Sequence, residues 1–153
     1  MAYQKLQVER ALTVILNDTI NVPNIAGPSV SGTTDGDAAN KLVDSTASFT
    51  SNLLGYIVYN TSDSTVATVT AVDDANTLSL SADIMDSGEN YTLYADDNVG
   101  CVLYVGNTGN VRVLTAGNDD VTFVGIAAGA FVPVQVKRVF ATDTTATDIV
   151  ALW

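Results

Sequence analysis

The chain has 153 residues, one cysteine, no histidine and a formal charge of −11. That length suffices for one ordinary domain or two small ones with a buried core, and a lone thiol excludes an internal disulfide. The negative balance argues against nucleic-acid binding and against adsorption to anionic membranes, and it favours solubility.

The N-terminus, Met1 to Arg10, is polar. The first apolar run, Ala11 to Leu16, is too short for a signal core or a membrane span, so a soluble protein made in a cytoplasm is expected. Two periods compete between Gln4 and Leu16. Val8, Ala11, Leu12 and Ile15 fit helical spacing, whereas Leu12, Val14 and Leu16 alternate; the later part reads as strand.

From Pro28 to Asp97 the punctuation and the charge both change. The stretch Ser31 to Asp37 is rich in turn formers. Ala38 to Ser48 has room for a turn or two of helix. Short Thr- and Val-rich runs follow at Tyr56–Tyr59, Val66–Val72, Thr77–Leu80 and Tyr91–Tyr94, spaced as in a small barrel or curled antiparallel sheet. This segment holds one base, Lys41, against eleven acids, a net of −10, which leaves −1 for all other residues. Such asymmetry suggests two units in different surroundings. The reading is an outer domain, 1–27 plus 98–153, with an acidic subdomain, 28–97, inserted at a surface turn; one larger sandwich is the rival.

After Val99 the period is two. Val111 and Val113, Val121 and Phe123, then Val132, Val134 and Val136 mark half-buried strands. Gly106, Gly109, Gly117, Gly125 and Gly129 fall between them, where tight turns ask for positive φ. Gly106 to Asn110 reads as a hairpin turn. Cys101, beside Val102 and Leu103, reads as a small buried hydrophobe rather than a reactive thiol. The fold class expected is all-β: an antiparallel β-sandwich, jelly-roll-like, with an inserted small acidic β-barrel-like subdomain.

Catalytic vocabulary is sparse. Without histidine the usual general base and the Ser-His and Cys-His pairs are missing. One cysteine cannot build a zinc site, and Lys5, Lys41 and Lys137 lack the serine spacing of Ser-Lys hydrolases. The carboxylates cluster in turns such as Asp73-Asp74, Asp96-Asp97 and Asp119-Asp120, where aspartate usually bonds its own backbone. Calcium is the best chemical alternative, at Asp35 to Asn40, but no helix-loop-helix frame or terminal Glu supports it. No enzyme, metal or cofactor is expected. Tyr56, Tyr59, Tyr91 and Tyr94 either fill a small core or form a platform for stacking sugars. Arg112, Lys137 and Arg138 are either solvated or pair with acids of another subunit; Lys137 and Arg138, adjacent in a strand, point to opposite faces. The apolar end, Ile149, Val150, Leu152 and Trp153, is costly to leave wet and should pair in a sheet or lie in a subunit interface.

The order Val105-Gly106, Gly109, Val111-Arg112-Val113, Gly117, Asp119, Val121-Thr122-Phe123, Gly129, Pro133-Val134, Val136 and Arg138-Val139, closing on Thr144 to Trp153, resembles the head spike base proteins of gene transfer agents and related small structural proteins of tailed phages. The likeness covers about the last 55 residues. The middle text looks like a module of marine phage virion proteins. The resemblance implies a sandwich that self-associates and docks on a capsid, as a decoration (cement) or spike-base protein. It implies as partners the major capsid protein and copies of itself, a homotrimer on the lattice or a homopentamer at a vertex. It implies a place on the virion surface after assembly in the host cytoplasm, and no catalytic residues. The rival reading is a carbohydrate-binding or adhesion module of a tail or fibre.

Overall fold

A computed structural model describes residues 8–153; the reading of Gln4 to Gln7 falls outside them. The protein is all-β, with two antiparallel sheets and no α-helix among the described residues. The chain divides into two compact units, Met1–Val22 with Asn98–Trp153, and Pro23–Asp97.

The middle unit carries six strands: β2 (Val30–Thr33), β3 (Lys41–Val43), β4 (Ile57–Asn60), β5 (Thr65–Val72), β6 (Thr77–Leu80) and β7 (Asn90–Tyr94). Their order is β2-β7-β4-β5-β6-β3. β5 curls the sheet by changing partner. Thr65–Thr68 lie on β4, and after an irregularity between Val69 and Ala71 the strand continues on β6. Past β2, Gly36 bridges to Val43, so the chain leaving one edge strand meets the other. Leu42, Ile57, Val58, Ala67, Leu78 and Leu93 are fully buried. Two expectations fail here. β2 forms inside the stretch read as turns, because its Thr33 and Ser31 side chains bond Asn90 and Thr92 across the pair. Ala38 to Ser48 holds strand β3 and turns rather than helix: Asn40 is left-handed (φ 56°), which starts β3 instead of a helical turn.

The outer unit has the order β1-β12-β8-β11-β9-β10, with β1 (Ala11–Thr13), β8 (Cys101–Asn107), β9 (Gly109–Thr115), β10 (Asp120–Ile126), β11 (Phe131–Val139) and β12 (Thr147–Leu152). Gly106 to Asn110 is not a hairpin: β8 and β9 never pair, and β11 lies between them. With Thr108 alone separating them, they form one long strand bent at a corner. β11 shares itself as β5 does, with Phe131 and Val132 on β8 and Val136 to Val139 on β9. The corner explains two glycines that lack positive φ. A Cβ on Gly106 would fall 2.6 Å from Cβ of Asp148, and one on Gly109 would fall 2.3 Å from the backbone nitrogen of Ala146. Their role is close backbone approach. Gly117 also lacks positive φ, whereas Gly125 and Gly129 have it, at 66° and 82°. Leu103, Val105, Val111, Val113, Val132, Val136 and Ala151 form the fully buried centre of this unit.

Candidate interaction surface

The apolar chain end is a strand inside the sheet. β12 lies between β1 and β8, with Ile149 opposite Val105 and Leu152 opposite both Val102 and Ala11. Ile149 is buried; Val150, Leu152 and Trp153 are half-buried. The Trp153 indole N–H donates to Oδ1 of Asn98 at 3.2 Å, and its backbone N–H donates to the Arg10 carbonyl at 3.0 Å. Removing Ala151 to Trp153 would therefore take away part of the ladder itself.

The three basic residues have partners within their own unit. Arg112, on β9, makes a two-pronged contact with Asp120, Nε to Oδ1 at 2.9 Å and Nη2 to Oδ2 at 2.7 Å, and reaches Asp143 at 3.5 Å. This guanidinium holds the Asp120 carboxyl below its usual range. Its flat face lies 4.5 Å from the centre of the Phe140 ring, and the Arg138 guanidinium lies 5.7 Å from it. Arg138 also donates to Oδ1 of Asn21 and to the Asp18 carbonyl, both at 3.1 Å. Lys137 reaches Oδ1 of Asn118 at 3.3 Å. Arg138 thus ties the segment after β1 to β11, while Lys137 approaches the β9–β10 turn.

The large apolar side chains that are exposed lie elsewhere, at Val8, Val30, Leu54, Val99, Val121, Val124 and Phe131. Val121 to Val136 is sixteen residues without a charged side chain. It runs through β10, the edge strand, into the first half of β11. Val124 is 77% exposed and Phe131 51%, and Val121 is exposed too. Phe123 and Ile126 turn inward onto the core. The period of two in this sequence was visible, but exposure was not: Val121 alternates as a core residue would, yet no strand covers it.

Backbone direction follows from the ladder. The Thr115 N–H bonds the Asp119 carbonyl, and Val121 and Phe123 lie opposite Val113 and Val111. Hydrogen-bonded and non-bonded pairs alternate in an antiparallel ladder. Asp119, Val121 and Phe123 therefore direct their backbone groups to β9, and Asp120, Thr122 and Val124 direct theirs outward. Within the irregularity that follows, the Gly125 N–H turns to the β9 side and donates to the side-chain Oδ1 of Asn110 at 3.0 Å.

In the middle unit, polar groups are turned on one another. Asp44, 3% exposed, accepts from the Tyr91 hydroxyl at 2.8 Å and from Thr46 N–H and Oγ1 at 2.9 and 2.6 Å. Burial pushes its carboxyl up, but these bonds outweigh burial and leave it below the ordinary value. Burial and the bond to Asp44 push the Tyr91 phenol up. Asp73 is held by Lys41 at 2.7 Å and by Ser79. Asp35 is held by Ser45. The four tyrosines share no exposed face: Tyr59 and Tyr91 are buried, and Tyr94 meets the Tyr59 ring edge-on.

In the segment Asp35 to Asn40, the Asp35 carboxylate accepts from the Ser45 N–H at 3.0 Å and the Asn40 N–H donates to Oδ1 of Asp83 at 2.7 Å. Among the described residues no three His, Cys, Asp or Glu side chains converge as metal ligands would. A shallow hollow of about 180 Å³ is lined by Asp63, Asp83 and Asp86, below the volume of most small-molecule sites. The Cys101 thiol is buried, and burial pushes it up to about 12. No family model, no curated protein and no solved structure matches this chain.

Proposed function

We propose that this protein is a non-enzymatic structural component of a tailed-phage particle, a capsid decoration or spike-base protein that self-associates and docks on the shell. The observation that carries the reading is the segregation of surface chemistry. Nearly all the net charge belongs to Pro23–Asp97, while the outer unit, net −1, displays at its edge β10, whose one charged side chain, Asp120, is paired with Arg112. A chain that works by adhesion needs an uncharged apolar contact surface, and it gains from an acidic, solvated portion that keeps finished particles apart. The resemblance of the last third to spike-base proteins supplies the particle as the context. The major capsid protein and further copies of the chain are then its partners, in trimers on a lattice or pentamers at a vertex.

Co-sedimentation with undecorated phage shells, followed by electron microscopy of the pelleted particles, tests this. Saturable binding with density on the outer surface is the expected result, and the symmetry of that density gives the copy number. A chain that stays in the supernatant with every shell offered, or that is absent from purified virions of its source, overturns the proposal.

A further inference from the structure

We infer that β10 is a seam between copies: Asp120 to Val124 pairs antiparallel with the same residues of a second copy, Thr122 opposite Thr122. The inference rests on the proposal that the chain self-associates, and it names a contact apart from the one that closes a trimer or pentamer, since a two-fold seam joins copies only in pairs. Edge strands are normally blunted by lysine, proline or an early bulge. The edge strand β3 is three residues long and carries Lys41. β10 has no such protection from Val121 to Phe123, and its irregularity, between Phe123 and Ile126, leaves Val124 as the border of the seam.

A second copy is the fitting occupant for three reasons. Outward N–H and C=O groups on Asp120, Thr122 and Val124 meet their complements when the strand is turned about a two-fold axis, the commonest relation between identical subunits. In that register Val121 and Phe123 lie opposite Phe123 and Val121 of the copy, which carries the apolar strip across the seam. Charge agrees as well: a chain of −11 repels itself, yet the one carboxylate in the seam, Asp120, is already held by Arg112 and sits opposite Val124 rather than its own counterpart. The seam is short against the roughly 800 Å² per partner of a standard interface, so pairing is concentration-dependent.

Sedimentation velocity from about 1 to about 300 μM, a range chosen to bracket micromolar affinity, tests the pairing together with oxidation of the Thr122→Cys variant. Opposed Cα atoms about 5.5 Å apart permit a disulfide, and buried Cys101 does not compete. A concentration-dependent dimer and a covalent dimer of Thr122→Cys are expected. Thr122→Pro and Val124→Lys should both abolish the dimer while leaving the melting transition within a few degrees of the parent. Thr122 turns its N–H away from β9, so proline there costs no bond of the ladder.

Trimers or pentamers that form without cross-linking at position 122 would overturn this seam and leave the proposed function standing. A monomer at every concentration, whose β10 amides gain exchange protection only on shells, would assign the strand to the shell protein and overturn pairing between copies. A monomer that also ignores shells would overturn both.

Discussion

The two units solve the same problem with different surfaces. Each has six antiparallel strands, and each curls by means of one long strand that changes partner midway, β5 in one and β11 in the other. Beyond that they diverge. The Pro23–Asp97 unit buries Thr34, Asp44 and Asn60 and satisfies each of them. The Asn60 amide donates to the Ile84 carbonyl and to Glu89, and its oxygen accepts two backbone N–H groups. The outer unit buries Asn98 as its one polar side chain among the described residues and leaves an apolar edge exposed. Equal scaffolds can thus be specialised by where polarity is placed: turned inward and neutralised, or withheld from one strand.

The most severe test asks whether the two cores are equivalent. Leu93 and Leu103 are both fully buried, one in each unit. Truncating either to alanine should cost about 2–5 kcal/mol, read as a loss of the melting or denaturant midpoint. If one variant is nearly silent, the apparent symmetry of the cores is false.

Next in size is the corner. Alanine at Gly109 places a Cβ against the Ala146 backbone, which cannot rotate away. The Gly109→Ala variant should lose about 1–3 kcal/mol, the usual cost of overpacking. Gly129→Ala makes the complementary control: its Cβ meets open space, so its penalty comes from positive φ alone.

How much of this was legible in the sequence depends on the kind of signal. Alternation located β5, β6, β7 and the C-terminal strands, because valine and threonine at a period of two have few other uses. Glycine position misled at Gly106 and Gly109, since sequence does not distinguish a residue needed for positive φ from one needed for close approach. β2 was hidden for a related reason: Ser31, Gly32 and Thr33 are turn formers by composition, and it is the cross-strand bonds to Thr92 and Asn90 that make them a strand. The partners of Arg112 and Tyr91 were equally out of reach. Asp120 is eight residues from Arg112 and Asp44 is 47 from Tyr91, and only the folded register brings those pairs together.

Asp44 tests the inward-turned side of the comparison. Asp44→Asn presents an amide where the Tyr91 hydroxyl and Thr46 N–H require an acceptor, and it should cost about 1–3 kcal/mol. The pH dependence fixes the cause. Because the folded carboxyl lies below its unfolded value, its contribution is present at neutral pH and is lost as pH falls through the folded value. Tyr91 is shifted upward, so its contribution holds below the ordinary phenol value and is lost as pH rises beyond it. Denaturation midpoints measured across acid pH should fall less steeply in Asp44→Asn than in the parent. Equal slopes would show that Asp44 is not the acid-sensitive group.

The smallest effect on stability, and the sharpest on the contrast between units, is expected at Arg112. Its pair with Asp120 is open to solvent on the Asp120 side, and pairs at the surface add little to folding. Arg112→Gln should therefore barely move the melting temperature. It releases the Asp120 carboxylate, however, beside the outward face of β10, and two copies meeting there would each bring an unneutralised charge. Self-association should then weaken more than the fold does, and it should recover as salt is raised, because exposed charges are screened within about 10 Å at 0.1 M. A dimer constant that falls without salt recovery would mean that Arg112 acts through its packing on Phe140, and the neutral edge would lose its electrostatic explanation.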